Sequence, residues 1–158
     1  MRRVLAVGLL AITVAGCSSG GSGYVSRSNR TCAEAGKTIG KLKTPADPKA
    51  GLAYALDRYV AVEKAVSTLT DSSLPGGSTG RDLRDRWLRP ARASLEAGAT
   101  DLDRLRNAAR SGDRAAASTA FTAATAAGTA GVDTGLLRSR SLTTCAALFT
   151  ASTPSVDW

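Results

Sequence analysis

The chain reads as all-α, an antiparallel helical bundle of about four main helices, on three observations. Apolar residues recur at helical spacing in five segments, and no run alternates in the manner of a strand. Clusters of Gly, Pro and Ser separate those segments. Aromatic residues make up only 4% of the 158 residues, so the helices must pack through Leu, Val and Ala.

Thr31-Cys32-Ala33-Glu34 has the form of a capping box and predicts a short first helix with Thr31 at its N-cap. Cys32, Ala35 or Gly36, Ile39 and Leu42 share one face of it, and Thr44-Pro45 ends it. Asp47-Pro48 opens a second helix by an N-cap and a first-turn proline, running to about Thr70. Its core face is Leu52, Ala55, Leu56, Tyr59, Val62, Val66 and Leu69, with Glu63 at the edge and expected to be partly buried. Asp71 to Gly80, containing Ser72-Ser73 and Pro75-Gly76-Gly77, is a turn-rich connection expected to be mobile.

From Arg81 to about Arg110, Leu83, Trp87, Ala91, Leu95, Gly98, Leu102, Leu105 and Ala109 stay within an arc of roughly 120°, which predicts one long helix. Pro90 lies outside that arc, so it should curve or kink the helix on the solvent side rather than break it. Gly98 lies inside it, where another helix can approach closely. A fourth helix starts near the Ser111-Gly112-Asp113 cap, with Ala116, Ala120, Ala123 and Ala127 as its stripe, Thr119, Thr122 and Thr125 largely opposite, and Phe121 as its one large anchor. Gly128 to Gly131 loosens it. Asp133 caps a last helical region through Leu136, Leu137, Leu142, Cys145, Ala146 and Phe149, with a candidate break near Ser139 to Ser141. Residues 152–158 form a tail without periodicity.

The amino terminus carries a different signal. Met1-Arg2-Arg3 is a basic start, Val4 to Val14 is an apolar run too short to span a bilayer, and small residues precede Cys17. Val14-Ala15-Gly16-Cys17 resembles the lipobox of bacterial lipoproteins, and the folded region is similar in style to small helical lipoproteins of actinobacteria. The second likeness carries no functional residues with it; the abundance of Arg, Ala, Gly and Thr agrees with a GC-rich ancestry. The lipobox implies removal of residues 1–16, lipidation of Cys17, and a chain held at the outer face of the cytoplasmic membrane. An ordinary secretory signal and an uncleaved anchor are the competing readings. Two or three acyl chains, at about 0.8 kcal/mol per buried methylene, hold a protein durably on a bilayer. Ser18-Ser19-Gly20-Gly21-Ser22-Gly23 then reads as a flexible tether, so residues 17–30 link the anchor to a helical domain at 31–151.

With Cys17 given to lipid, Cys32 and Cys145 remain at the two ends of the folded region, in a compartment that permits a disulfide between the first and last helices. Two free buried thiols or a metal pair are the alternatives. Histidine is absent, which removes the commonest general base, the usual triads and most transition-metal sites, so no metal, cofactor or enzymatic activity is expected.

Loss of the leader takes Arg2 and Arg3 with it, so 21 basic residues become 19 against 13 acidic. A basic surface outside a cell points to lipid headgroups, an anionic envelope polymer or an envelope protein, and not to nucleic acid. Asp82 with Arg86, Asp85 with Arg81 and Arg89, and the pair Asp101 and Asp103 read as surface salt-bridge ladders. Arg81, Arg84, Arg89 and Arg92, with Arg86, Arg104, Arg106 and Arg110 around them, form the candidate anion-binding stripe, since guanidinium forks bind phosphate bidentately. The sequence therefore predicts a lipid-anchored, non-enzymatic interaction module. A structural or stress-related envelope protein without a ligand is the alternative, and an enzyme using Glu63 or an aspartate is a third reading.

Overall fold

The computed structural model describes residues 19–156 and residue 158, so Cys17 and the leader lie outside the described residues. Its helices are α1 (Ser19–Ile39), α2 (Pro48–Asp71), α3 (Gly77–Leu83), α4 (Arg89–Ser111), α5 (Arg114–Thr125), α6 (Thr134–Ser139) and α7 (Thr143–Thr150). A π-helical turn, Arg84–Leu88, joins α3 to α4. The described residues contain no strand, and none of their helices is long and apolar enough to cross a membrane.

α1 starts much earlier than the sequence predicts. Ser19 to Arg30, expected as a flexible tether, is helical, and Thr31 lies inside the helix instead of capping it. The cause is tertiary. Tyr24, Ser28, Cys32 and Ala35 follow one another at helical spacing and are all buried. Asn29 beside them donates its amide to the Ser141 carbonyl at 2.9 Å and accepts from the Thr144 N–H at 3.1 Å. It thereby caps the start of α7 from another helix, next to Ser141, whose φ of 60° is a left-handed conformation that a serine adopts at some cost. Burial of large apolar side chains at about 1.5–3 kcal/mol each, with these bonds, outweighs a helix penalty of about 1 kcal/mol per glycine.

The later elements start where expected. Asp47 accepts the Ala50 N–H at 2.8 Å with Pro48 in the first turn of α2, Asp113 accepts the Ala116 N–H at 3.0 Å at α5, and Asp133 accepts the Leu136 N–H at 2.8 Å at α6. Gly112, at φ 72°, ends α4 in a left-handed turn. The α5 stripe is displaced from the expected one: Ala117, Ala120, Phe121, Ala124 and Thr125 are buried, while Ala116 and Ala123 are exposed. Phe121 sets the phase, because the largest side chain must face the core and residues four before and four after it follow. Likewise Ala108, not Ala109, is the buried residue at the end of α4.

α2 is central, with α1 on one side, α4 on another and α5 against both α2 and α4; α7 lies along α1. Short connections make sequential neighbours antiparallel. Two apolar clusters result. The larger joins α1, the second half of α2, the π turn, α6 and α7 around Trp87, Tyr24, Leu69 and Phe149. The smaller joins the other end of α2, α4 and α5 around Phe121 and Leu105, and Tyr59 packs against both clusters. The turn after α5 approaches α4 closely: a Cβ on Gly98 would lie 2.3 Å from the Ala127 Cβ.

The tail belongs to the second cluster. Trp158 stacks edge-on to Phe121 with ring centroids 5.2 Å apart, over Gly51, where a Cβ would fall 2.2 Å from the indole. Ser118 donates to the Val156 carbonyl at 2.9 Å. Lack of periodicity did not mean lack of packing, because a single aromatic and one backbone carbonyl are enough to dock an extended segment.

Cys32 and Cys145 are joined, with Cα atoms 5.0 Å apart and a sequence separation of 113, so the N- and C-terminal helices are clasped as predicted. A loop of that length corresponds to about 4–5 kcal/mol of chain-entropy stabilisation. Two variants test the packing in urea unfolding. Cys32→Ala with Cys145→Ala should lose about 2–5 kcal/mol, and Tyr24→Ala about 3 kcal/mol. A Tyr24→Ala protein as stable as the parent would mean that residues 19–30 are the tether after all.

Candidate anion-binding cleft

Pro90 has no N–H, so the Arg86 carbonyl one turn back is left without that intrahelical donor. The Asp133 N–H takes the place, 3.0 Å from the Arg86 oxygen, and the Asp133 carboxylate also pairs with the Arg86 guanidinium. Just before the proline the helix widens, and the Arg89 N–H donates to the Arg84 carbonyl five residues back. A turn of that kind holds one residue more than an α turn. Residues eight apart across it therefore behave like residues seven apart, about two turns at 3.6 residues per turn. Arg81 and Arg89 are eight apart, as are Arg84 and Arg92. The π turn stacks both pairs on one face; an uninterrupted α-helix would splay each pair by about 80°.

All four arginines line a single cleft of about 590 Å³. Its other wall is the end of α2, at Thr70, and the connection between α2 and α3, including Ser72, Leu74 and Pro75. Gly80 lets that connection fold down onto the helix, since a Cβ there would lie 2.0 Å from the Pro75 carbonyl oxygen. The four guanidinium groups are exposed, and only Arg89 has a carboxylate partner among the described residues, Asp85 at 3.1 Å. Arg81, Arg84 and Arg92 thus present cationic forks to solvent over a concave surface, an arrangement suited to phosphate oxygens.

The remaining arginines of the predicted stripe are elsewhere. Arg86 turns to Asp133, Arg104 pairs with Asp101 at 2.6 Å and Arg106 with Asp103 at 2.5 Å, while Arg106 and Arg110 border a separate groove with Lys49. The expected Asp82–Arg86 pair is replaced by Asp82–Arg140 at 3.2 Å, because the turn that frees Arg86 aims it at α6. Glu63 is exposed rather than partly buried, at the rim of a hollow of about 170 Å³ shared with Glu96, Tyr59 and Arg92. Cavities that hold small substrates run to about 300 Å³ or more. Among the described residues no cluster of three His, Cys, Asp or Glu side chains could hold a metal ion.

Sequence reasoning missed one residue with unusual surroundings. Arg58, in the middle of α2, is 2% exposed and donates Nε–H to the Thr125 carbonyl at 2.8 Å. Its position between Ala55 and Val62 on the core face was the available signal. The family models, curated proteins and solved structures compared with this chain give no match.

The Asp133 junction has a pH signature. The Leu136 N–H that it accepts and the Arg86 guanidinium hold its carboxyl below the ordinary carboxylate range. A carboxyl with a depressed folded pKa stabilises the fold above its unfolded value, about 4, and that contribution is lost as pH falls through the folded value. Urea unfolding of Asp133→Asn should therefore show a flatter loss of stability below about pH 4 than the parent. Identical acid limbs would place the source of acid sensitivity elsewhere.

Proposed function

We propose that this chain is a lipid-anchored, non-enzymatic binding module at the outer face of the cytoplasmic membrane, whose arginine cleft takes the phosphates of anionic lipid headgroups. The observation that carries the reading is the convergence of Arg81, Arg84, Arg89 and Arg92 around one cleft. Two further facts support it. A disulfide between Cys32 and Cys145 suits an oxidising compartment. The start of α1 also lies at the cleft's end of the bundle, because α1 packs antiparallel to α2 across a short connection and Thr70, in the last turn of α2, lines the cleft. A lipid on Cys17, two residues before α1 begins, brings that end to the bilayer.

Lipidation is tested by blocking lipoprotein signal peptidase with globomycin and by Cys17→Ala. Each should move the protein out of the mature membrane-anchored form; membrane retention of the mature chain without acyl mass on Cys17 would remove the anchor. Headgroup binding is tested with residues 18–158, free of the anchor, in vesicle co-sedimentation. Phosphatidylglycerol vesicles should retain the domain, phosphatidylcholine vesicles should not, and added salt should release it. Changing all four arginines to Gln should abolish retention while helical circular dichroism stays unchanged. Equal retention of parent and variant would overturn the cleft, and binding to a phosphodiester polymer but not to the vesicles would move the partner from lipid to the wall.

A further inference from the structure

At the opposite end of α1 a second cavity, about 640 Å³, lies between α1, the first half of α2, α7 and the tail. Its lining is largely apolar, with Ile39, Leu42, Leu148 and Pro154, and it includes the Arg58 side chain. The Arg58 guanidinium donates Nε–H to the Thr125 carbonyl, and its buried Nη1 has no hydrogen-bond partner among the described residues. Among the described residues no carboxylate lies within salt-bridge distance of it.

An unpaired buried charge costs several kcal/mol. Lysine or histidine would escape that cost by releasing a proton, whereas a guanidinium keeps its charge in a protein. Burial does push the Arg58 pKa down from its ordinary value, the direction expected of a cation without a counter-ion. Replacement of such a group by an apolar one would ordinarily be stabilising, so an arginine here is explained by something that supplies a negative charge from the cavity side.

We propose that this cavity binds an amphipathic monocarboxylate, its carboxylate on Arg58 and its apolar body along Ile39, Leu42 and Leu148. One cation without a partner calls for one negative charge, and a planar carboxylate matches the guanidinium fork. The volume falls within the roughly 300–1,000 Å³ of small-molecule sites. Thr44, Thr144 and Thr153 also line the cavity, with hydroxyls able to donate to the carboxylate's second oxygen. The site is separate from the arginine cleft, shares no residue with it, and does not rest on the headgroup reading.

The test is calorimetric titration of the full chain in lipid nanodiscs, corrected with empty discs, using octanoate and its uncharged isostere octanamide. Octanoate should bind saturably and at least about tenfold more tightly than octanamide, the equivalent of about 1.4 kcal/mol for the charge-assisted bond. Arg58→Met should weaken octanoate by about tenfold or more while leaving octanamide unchanged. It should also unfold at the same or a higher temperature than the unliganded parent. Equal affinity for the two ligands, or no saturable binding of either, would overturn the proposal on the unmodified chain alone. Should Arg58→Met fail to fold, that comparison of ligands still decides.

Discussion

Pro90 cannot donate a backbone hydrogen bond, and much of the molecule is arranged around that fact. The carbonyl it leaves free, on Arg86, is taken by Asp133, and Asp133 in turn caps α6. α6 leads into α7, which Asn29 caps and Cys145 binds to α1. One missing N–H thus connects to the clasp between the two ends of the chain. The π turn beside it also sets the register of the longest helical rod. Leu83 and Ala91, eight apart, are both fully buried, and they face the same core because the turn absorbs one residue. The arginines on the outer side are aligned by the same shift.

The rest of the packing follows from a shortage of large side chains. With alanine as frequent as leucine in the core, apolar burial per residue is small, and close approach of the Ala127 backbone at Gly98 and of the Trp158 ring at Gly51 makes up part of the packing. Tyr24, Trp87 and Phe149 then act as the large anchors of the first cluster, and Phe121 with Trp158 as those of the second. A thin core of this kind gains more from a disulfide closing over a hundred residues than a well-filled one would. Arg58 occupies the same face of α2 as these apolar contacts, which makes its buried charge the chief departure from apolar packing.

Much of this was legible in the residues. Helix starts at Asp47, Asp113 and Asp133 were readable because an acceptor side chain next to an apolar stripe has a local physical meaning. The arginine cleft was readable as a set of four residues, though not as a cavity, since its second wall depends on how the Pro75 connection folds back. The π turn left a trace: Leu83, Trp87, Ala91 and Leu95 are each four apart and would drift by about 40° per step on a regular helix. That drift, taken as tolerance within a broad face, was the sign of an extra residue. What escaped was decided at long range. The helix over Ser19 to Arg30 exists because Tyr24 and Asn29 meet segments more than forty residues away. The tail docks because Gly51 leaves room for Trp158. Local composition cannot announce either.

If the surplus residue in Arg84–Leu88 sets the register of both faces, its removal should be tolerated where other deletions are not. Thermal unfolding of a chain lacking the exposed Asp85, compared with one lacking the exposed Glu96, measures this directly. Deletion of Asp85 should convert the π turn to an α turn, sacrifice only the surface pair with Arg89, and lower the midpoint by about 5 °C or less. Deletion of Glu96 should rotate the preceding helix by about 100° against the core and abolish cooperative unfolding. Equal damage from the two deletions would contradict the account.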